Sequence, residues 1–254
     1  MSRILRIAGA QMGPNQRADS RAAILGRMIA LLEQAAAEGA KLVVFPELAF
    51  TTFFPRWPMD RDSPELLACF ETAMPNPQVQ PLFDRARELG VGFYVGYAEL
   101  TPAGERFNSA VTVGPDGQVL FKYRKIHLPG SDQVKAGQRY QQLEKMYFRY
   151  GDMGFPAARG PAAWGAPVLG MLICNDRRWP EGWRVLGLDL SLPMLQAARN
   201  RIHAELAPEY RLQLALAPMD RLPVANGCCA LVIAHGVWNL ARSSAEFRQA
   251  VSTS

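Results

Sequence analysis

The stretch ILRIAGAQMGPNQRADSRAAILGRMIALLEQAAAEGAKLVVFPEL, residues 4–48, decides the fold class. Its first residues (Ile4, Leu5, Ile7, with Ala8 and Ala10) read as a strand. Asp19 and Ser20 offer an N-cap, since a short polar side chain can accept from the free N–H groups of a first helical turn. Residues 22–37 then place Ile24, Leu25, Met28, Leu31 and Leu32 at helical spacing, and Gly39 stands where a helix ends on a left-handed residue. Leu42-Val43-Val44-Phe45 is apolar at every position, as a strand covered on both faces must be. Strand, helix, strand in this order predicts a layered α/β fold.

Outward from that unit, residues 64–69 and 79–89 read as helices, the second stopped by Gly90. Residues 92–98, 107–113 and 119–123 read as strands. Pro115-Asp116-Gly117 turns the last two into a hairpin. Residues 129–165 are rich in Gly and Pro and predict loops, with a short helix near 141–148, before a further strand at 168–174. Past residue 182 the character changes: a strand at 185–189 ending in an acid, a helix at 194–206, and strands at 212–217 and 230–234.

The chain of 254 residues, 49% hydrophobic and 20% charged, suits one large globular domain or two small ones. No apolar run approaches the ~18–20 residues of a membrane span, and the N-terminus has no long apolar signal region, so a cytoplasmic protein is expected. The net charge of +5 is dispersed, which predicts neither a nucleic-acid stripe nor a membrane surface. Four cysteines without a C-x-x-C pair, and only three histidines, argue against a zinc site. Each cysteine is then a small buried hydrophobe or a nucleophile.

Three strand ends carry polar groups that suit one reaction. Glu47 follows the buried run at 42–45, Lys125 lies in the basic run 122–125 after another strand, and Cys174 ends a third. Taken singly, Glu47 could be a solvated loop acid and the basic run an edge that discourages strand pairing. Together they supply a base for a thiol proton, a cation that lowers the thiol pKa and stabilises an oxyanion, and a nucleophile, with no histidine required.

The segments FPELAFTTFFPRW (45–57), KYRKIHLPG (122–130), QLEKMYF (142–148) and ICNDRRWPE (173–181) resemble the nitrilase, or carbon–nitrogen hydrolase, superfamily. Within it they are similar to the N-carbamoyl-D-amino acid amidohydrolases. The resemblance covers residues 1 to about 187. It implies an α-β-β-α layered sandwich and hydrolysis of the carbamoyl C–N bond of N-carbamoyl-D-amino acids through a covalent cysteine intermediate. By the same resemblance Glu47 is the general base, Lys125 the catalytic lysine, Cys174 the nucleophile and Glu144 an assisting glutamate. His127, Asn175, Arg177 and Arg178 match positions that bind the carbamoyl and carboxylate groups of the substrate. Guanidinium forks suit a free α-carboxylate, although pairing of the two arginines with Asp176 or Glu181 is an alternative. No metal or organic cofactor is implied, and a completed fold is expected to form a homo-oligomer. One departure is Gln142, where the superfamily commonly has a histidine before Leu-Glu-Lys.

From about residue 182 the family pattern stops, so the sandwich is expected to be C-terminally incomplete. Residues 183–191, with Met194, Leu195 and 197–199, resemble an S-adenosylmethionine-dependent class I methyltransferase. That resemblance makes Asp189 and Asp220 weak cofactor-binding candidates. The glycine-rich turn such a site needs is missing from GPAAWGAPVLGML (160–172), and Asp189 reads more readily as a helix cap or loop acid. The expectation is a chimera: a truncated hydrolase region at 1–187, a Rossmann-like α/β fragment at 188–254, and a seam within 182–188. The alternatives are a continuous domain whose tail only looks foreign, a methyltransferase fragment, or an inactive protein.

Overall fold

The computed structural model describes residues 5–179 and three strand segments beyond them, Leu186–Asp189, Gln213–Leu216 and Val232–His235. The strand-helix-strand unit is present as β1 (Ile7–Gly9), α1 (Arg21–Ala37) and β2 (Leu42–Val44), with β1 and β2 paired parallel. Ser20 caps α1, its hydroxyl accepting from Ala23 N at 3.2 Å, and Gly39 follows the helix at φ 81°. Ile24, Leu25, Met28, Leu32 and Ala35 form the buried stripe of α1. Next come α2 (Pro64–Leu67), β3 (Phe70–Glu71), α3 (Gln80–Leu89), β4 (Gly92–Leu100), β5 (Arg106–Val113) and β6 (Val119–Arg124). After them lie α4 (Glu144–Tyr147), β7 (Ala157–Arg159) and β8 (Val168–Ile173), and the distal strands are β9 (Leu186–Asp189), β10 (Gln213–Leu216) and β11 (Val232–His235).

The main sheet runs β1-β2-β4-β5-β6, with β3 beside the far end of β4. Pairing is parallel from β1 to β4 and antiparallel from β4 to β6. One face, carrying Val43, Phe45, Phe93, Val95, Val111 and Val113, packs on α1 and α3. The other presents Leu42, Val44, Tyr94, Ala110 and Tyr123 to Leu169, Met171 and Ile173 of β8. Helices, sheet and second sheet therefore form three stacked layers, because successive side chains of each central strand point to opposite faces. The second sheet orders β11-β8-β7, and β9 and β10 pair parallel in a sheet of their own.

Four local readings change in the structure. The helix expected through residue 69 ends at Leu67, and Phe70 instead enters β3 and packs on Phe54 and Phe148 with ring centroids 5.5 and 5.9 Å away. The helix expected near 141–148 shrinks to α4, because Gln141 N and Leu143 N donate to the carbonyls of Arg56 and Pro55 and hold that chain extended. The strand expected to reach residue 174 stops at Ile173, since Cys174 turns to φ 48°. A short strand, β7, forms within the expected loops of 129–165 and pairs with β8. The helix expected at 194–206 lies outside the described residues.

Gly96 fixes how the chain leaves β2. A Cβ there would stand 2.9 Å from Glu47 Cα and 3.1 Å from Leu48 N, while Gly96 O accepts from Ala49 N at 2.8 Å. Only a residue without a side chain lets 46–49 lie on β4. Gly96→Ala is expected to destabilise the protein by about 1–3 kcal/mol through overpacking. Gly26→Ala, on the exposed side of α1 with nothing within 4 Å of the new methyl, is expected to stabilise it. The gain is about 0.5–1 kcal/mol, because alanine loses less backbone entropy in a helix. Urea unfolding of both variants, with shifts of opposite sign, checks the pair.

Candidate active site

Two antiparallel steps separate β6 from β4, so β2, β4 and β6 all run the same way and end at the same edge of the sheet. Ligand groups in α/β proteins collect at such carboxyl ends. Glu47 follows β2, Lys125 follows β6, and β8 of the facing sheet delivers Cys174 to the same place. Glu144 opens α4, which the pairing of 141–143 with 55–56 holds nearby.

The Lys125 ammonium is fully buried and donates to Glu47 Oε1 and to Glu144 Oε2, both at 2.6 Å. Burial by itself would lower the Lys125 pKa, but the charges of Glu47 and Glu144 outweigh it and hold the ammonium protonated well above its ordinary range. Glu144 is pushed up to about 7 by burial and by the charge of Glu47, against the opposing pull of Lys125 and Asn108. Its other oxygen, Oε1, accepts from Gln142 Nε2 at 2.8 Å. The amide that replaces the expected histidine therefore holds the second glutamate and exchanges no proton.

The Cys174 thiol hydrogen-bonds Glu47. Burial and the Glu47 charge push the thiol up to about 12, more than Lys125 brings it down. The lysine lowers the thiol pKa as expected, but burial and Glu47 outweigh it, so the resting group is a thiol beside a carboxylate, not a thiolate. Cys174 sits at φ 48°, a conformation disfavoured for a residue with a side chain, at the start of the 3-10 turn Cys174–Arg178. Asp176 locks that turn. Its buried Oδ2 accepts from Tyr123 Oη at 2.7 Å and Ile173 N at 3.0 Å, and Oδ1 accepts from His127 N at 2.8 Å with His127 Nδ1 2.9 Å away. One carboxylate thus ties the turn of Cys174 to the segment that carries Lys125.

The residues expected to bind substrate divide. His127 is anchored on Asp176 and stacked between Trp179 and Phe155, with centroids 4.9 and 5.9 Å away. Asn175 Nδ2 donates to His127 O at 3.1 Å. Arg177 is half-buried with Nη1 on Cys174 O at 3.2 Å, and Arg178 is exposed. Asp176, one of their two expected structural partners, is committed elsewhere, and Glu181 lies outside the described residues. Asp189 ends β9 and pairs in register with Leu216, and Asp220 lies outside the described residues. Among the described residues no group of three or more His, Cys, Asp or Glu is arranged to hold a metal ion.

Two contributors escaped the sequence reading. Asp176 was read only as a counter-ion for arginines. Asn108 sits in the middle of β5, fully buried, with Nδ2 donating to Glu47 Oε1 at 2.7 Å and Glu144 Oε2 at 3.2 Å. Its signal was present: a polar amide inside an apolar strand requires partners.

Lys125→Met leaves two buried carboxylates facing each other without a cation. A loss of about 3–5 kcal/mol at pH 8 is expected, the cost of removing one partner of a buried ion pair. Without the ammonium the folded-state pKa of the pair rises further above the unfolded value. The folded state then binds a proton that the unfolded chain releases, so the variant loses stability as pH rises and regains it toward pH 5. Thermal unfolding of variant and parent across pH 5–8 checks both sign and window.

The carbon-nitrogen hydrolase family profile matches residues 6–204. The chain is 35% identical over 161 residues to a nitrilase from Pyrococcus abyssi, covering 62% of this chain and 52% of the relative. It is 27% identical over 187 residues to an N-carbamoylputrescine amidase from Solanum tuberosum, covering 74% and 56%. An omega-amidase NIT2-A from Xenopus laevis is 30% identical over 161 residues, covering 62% and 51%. Among solved structures, an amidase from Nesterenkonia sp. shares the fold with TM-score 0.55 at 24% identity, covering 74% of this chain and 64% of that one. A carbon-nitrogen hydrolase from Helicobacter pylori G27 gives TM-score 0.53 at 26% identity, covering 67% and 52%. The chain spans about half the length of the curated relatives it matches. The family match runs past the seam expected within 182–188 and gives the methyltransferase resemblance of the tail no support. With most of its residues inside that match, the protein belongs to the carbon-nitrogen hydrolase family.

Proposed function

We propose that the protein hydrolyses the carbamoyl C–N bond of N-carbamoyl-D-amino acids, with Cys174 as nucleophile, Glu47 as general base, and Lys125 and Glu144 as its electrostatic frame. The observation that carries this reading is the buried ammonium between two carboxylates, one of which holds the thiol. Glu47 takes the thiol proton as sulfur bonds to the ureido carbon. The charge that develops on oxygen is met by Lys125, whose ammonium has three hydrogens and directs two of them at carboxylates. Collapse breaks the C–N bond, and Glu47 returns the proton to the departing amino group. Water, deprotonated by Glu47, then attacks the carbamoyl thioester. This releases carbamic acid, which breaks down to ammonia and carbon dioxide, and restores the thiol.

Two arginines that follow Cys174 closely in the chain, Arg177 and Arg178, support an acidic substrate. The N-carbamoylputrescine of the potato relative's name shares the carbamoyl group but ends in an amine, which Arg177 and Arg178 would repel. A free carboxylate is what guanidinium groups attract and orient. The boundary within 182–188 belongs to the same reading. Its support is the pairing of β9 with β10 in a separate sheet, and against it stands β11 of the same tail, which lies beside β8.

Cys174→Ala is expected to abolish release of D-amino acid from N-carbamoyl-D-amino acids while leaving the unfolding midpoint near that of the parent. Wild-type-like turnover in that variant would remove the thiol mechanism. Replacing Arg177 or Arg178 by Lys is expected to raise KM for N-carbamoyl amino acids roughly tenfold, because a point charge cannot form the planar fork. KM for an uncharged amide should stay within about twofold, since it offers the fork no carboxylate. Equal losses on both substrates would make the arginines structural.

A further inference from the structure

We propose that Asn108 is the positioning residue of the site, holding Glu47, Glu144 and Lys125 in one arrangement from a single place on β5. The inference rests on the thiol-hydrolase reading above. Its side-chain amide donates to Glu47 Oε1 at 2.7 Å and Glu144 Oε2 at 3.2 Å, the same two oxygens that Lys125 Nζ contacts. Its backbone carbonyl accepts from Lys125 N at 2.8 Å. Asn108 therefore hydrogen-bonds all three residues from one position.

The chemistry of an amide suits this task. The Lys125 ammonium rides on a long flexible stem, whereas Asn108 stands on a central strand paired to β4 and continuous with the buried sheet. Its two N–H hydrogens leave one nitrogen at a fixed angle, so they fix the separation of the two carboxylates. The amide has one workable orientation, since turning it over would aim Oδ1 at two anions. In the observed orientation Oδ1 is buried and has no hydrogen-bond partner among the described residues. A buried acceptor left unmatched is unfavourable, and here it accompanies two donations to the reacting carboxylates.

Asn108 is also neutral. It stabilises the ionised forms of Glu47 and Glu144 without adding a charge beside the thiol. Among the described residues, the charged and titratable groups facing this pair include Lys125 from the end of β6, Cys174 from the end of β8 and Tyr94 from β4. Without Asn108, the two carboxylates share a proton at higher pH, and a protonated Glu47 cannot take the thiol proton.

The test is the pH dependence of Cys174 alkylation by iodoacetamide, read by peptide mass spectrometry on the full chain with Cys69 as internal reference. It needs no assigned substrate. Wild-type Cys174 should react faster than Cys69, with a titration limb between pH 5 and 8 set by the carboxylate pair. Asn108→Leu, close in size but without a donor, should move that limb up by about one pH unit, a roughly tenfold slower reaction on its acid side with recovery toward the alkaline end. Asn108→Asp, matched in size and hydrogen-bonding shape, should move it at least as far, and it decides the matter if circular dichroism shows the leucine variant unfolded. A folded variant with the wild-type limb, or with one slowed equally at every pH, would overturn the positioning role. Wild-type Cys174 reacting no faster than Cys69, without a limb, would instead overturn the thiol-hydrolase reading.

Discussion

The structure is organised around a buried ammonium. Lys125 has no exposed side-chain surface, and an isolated charge there would be unfavourable by far more than the protein's net stability. It is tolerated because Glu47 and Glu144 each stand 2.6 Å from Nζ. That requirement reaches outward. Glu47 must leave β2 closely over Gly96, Glu144 must open α4 on a chain held extended against 55–56, and Lys125 must leave β6 at the same edge. Gly151 serves the same end, since a Cβ there would lie 2.0 Å from Arg124 O, and its N–H donates to Lys125 O at 2.9 Å. A change in any of these backbone approaches moves a charge with no solvent to screen it.

A second lock, centred on Asp176, shapes the turn of Cys174. Asp176 gathers donors from β6, from His127 and from the end of β8, and so holds Cys174 in a left-handed conformation it would not adopt alone. The strained residue and its anchor are two positions apart, so the turn is short enough for one carboxylate to fix. Gln142, on the opposite side, restrains Glu144 without titrating. The site therefore combines titratable groups with a neutral amide that holds one of them in place.

A third polar cluster stabilises the sheet away from the chemistry. Glu99 on β4 accepts from Lys122 and Arg124 of β6 and from Ser109 of β5. Burial would raise its pKa, but these donors outweigh it and hold it down to about 2. The stability this contributes is present above the ordinary glutamate range and is lost only as pH falls toward 2. The neighbouring basic residues Lys122 and Arg124, first read as a solvated edge, are thus partners of a buried acid, while Lys125 of the same run serves the site.

Much of the frame was legible in the residues themselves. Local spacing determined α1, the buried run at 42–44, the hairpin of β5 and β6 and the strand before Cys174, because side-chain period and turn chemistry act over a few residues. The same reading picked out Glu47, Lys125 and Cys174 as polar residues at strand ends, where apolar runs stop. Sequence could not fix what depends on residues far apart in the chain. The short extent of α4 follows from hydrogen bonds to residues 55–56, and the inward turn of Asp176 follows from Tyr123 and His127. Asn108 acquires its meaning only when Glu47, 61 positions away, and Glu144, 36 positions away, arrive at its amide. Tertiary structure likewise decided the proton's resting place. The nearby lysine alone would favour a thiolate, but burial and two carboxylates keep Cys174 protonated, and that balance exists only once the sheets have closed over it.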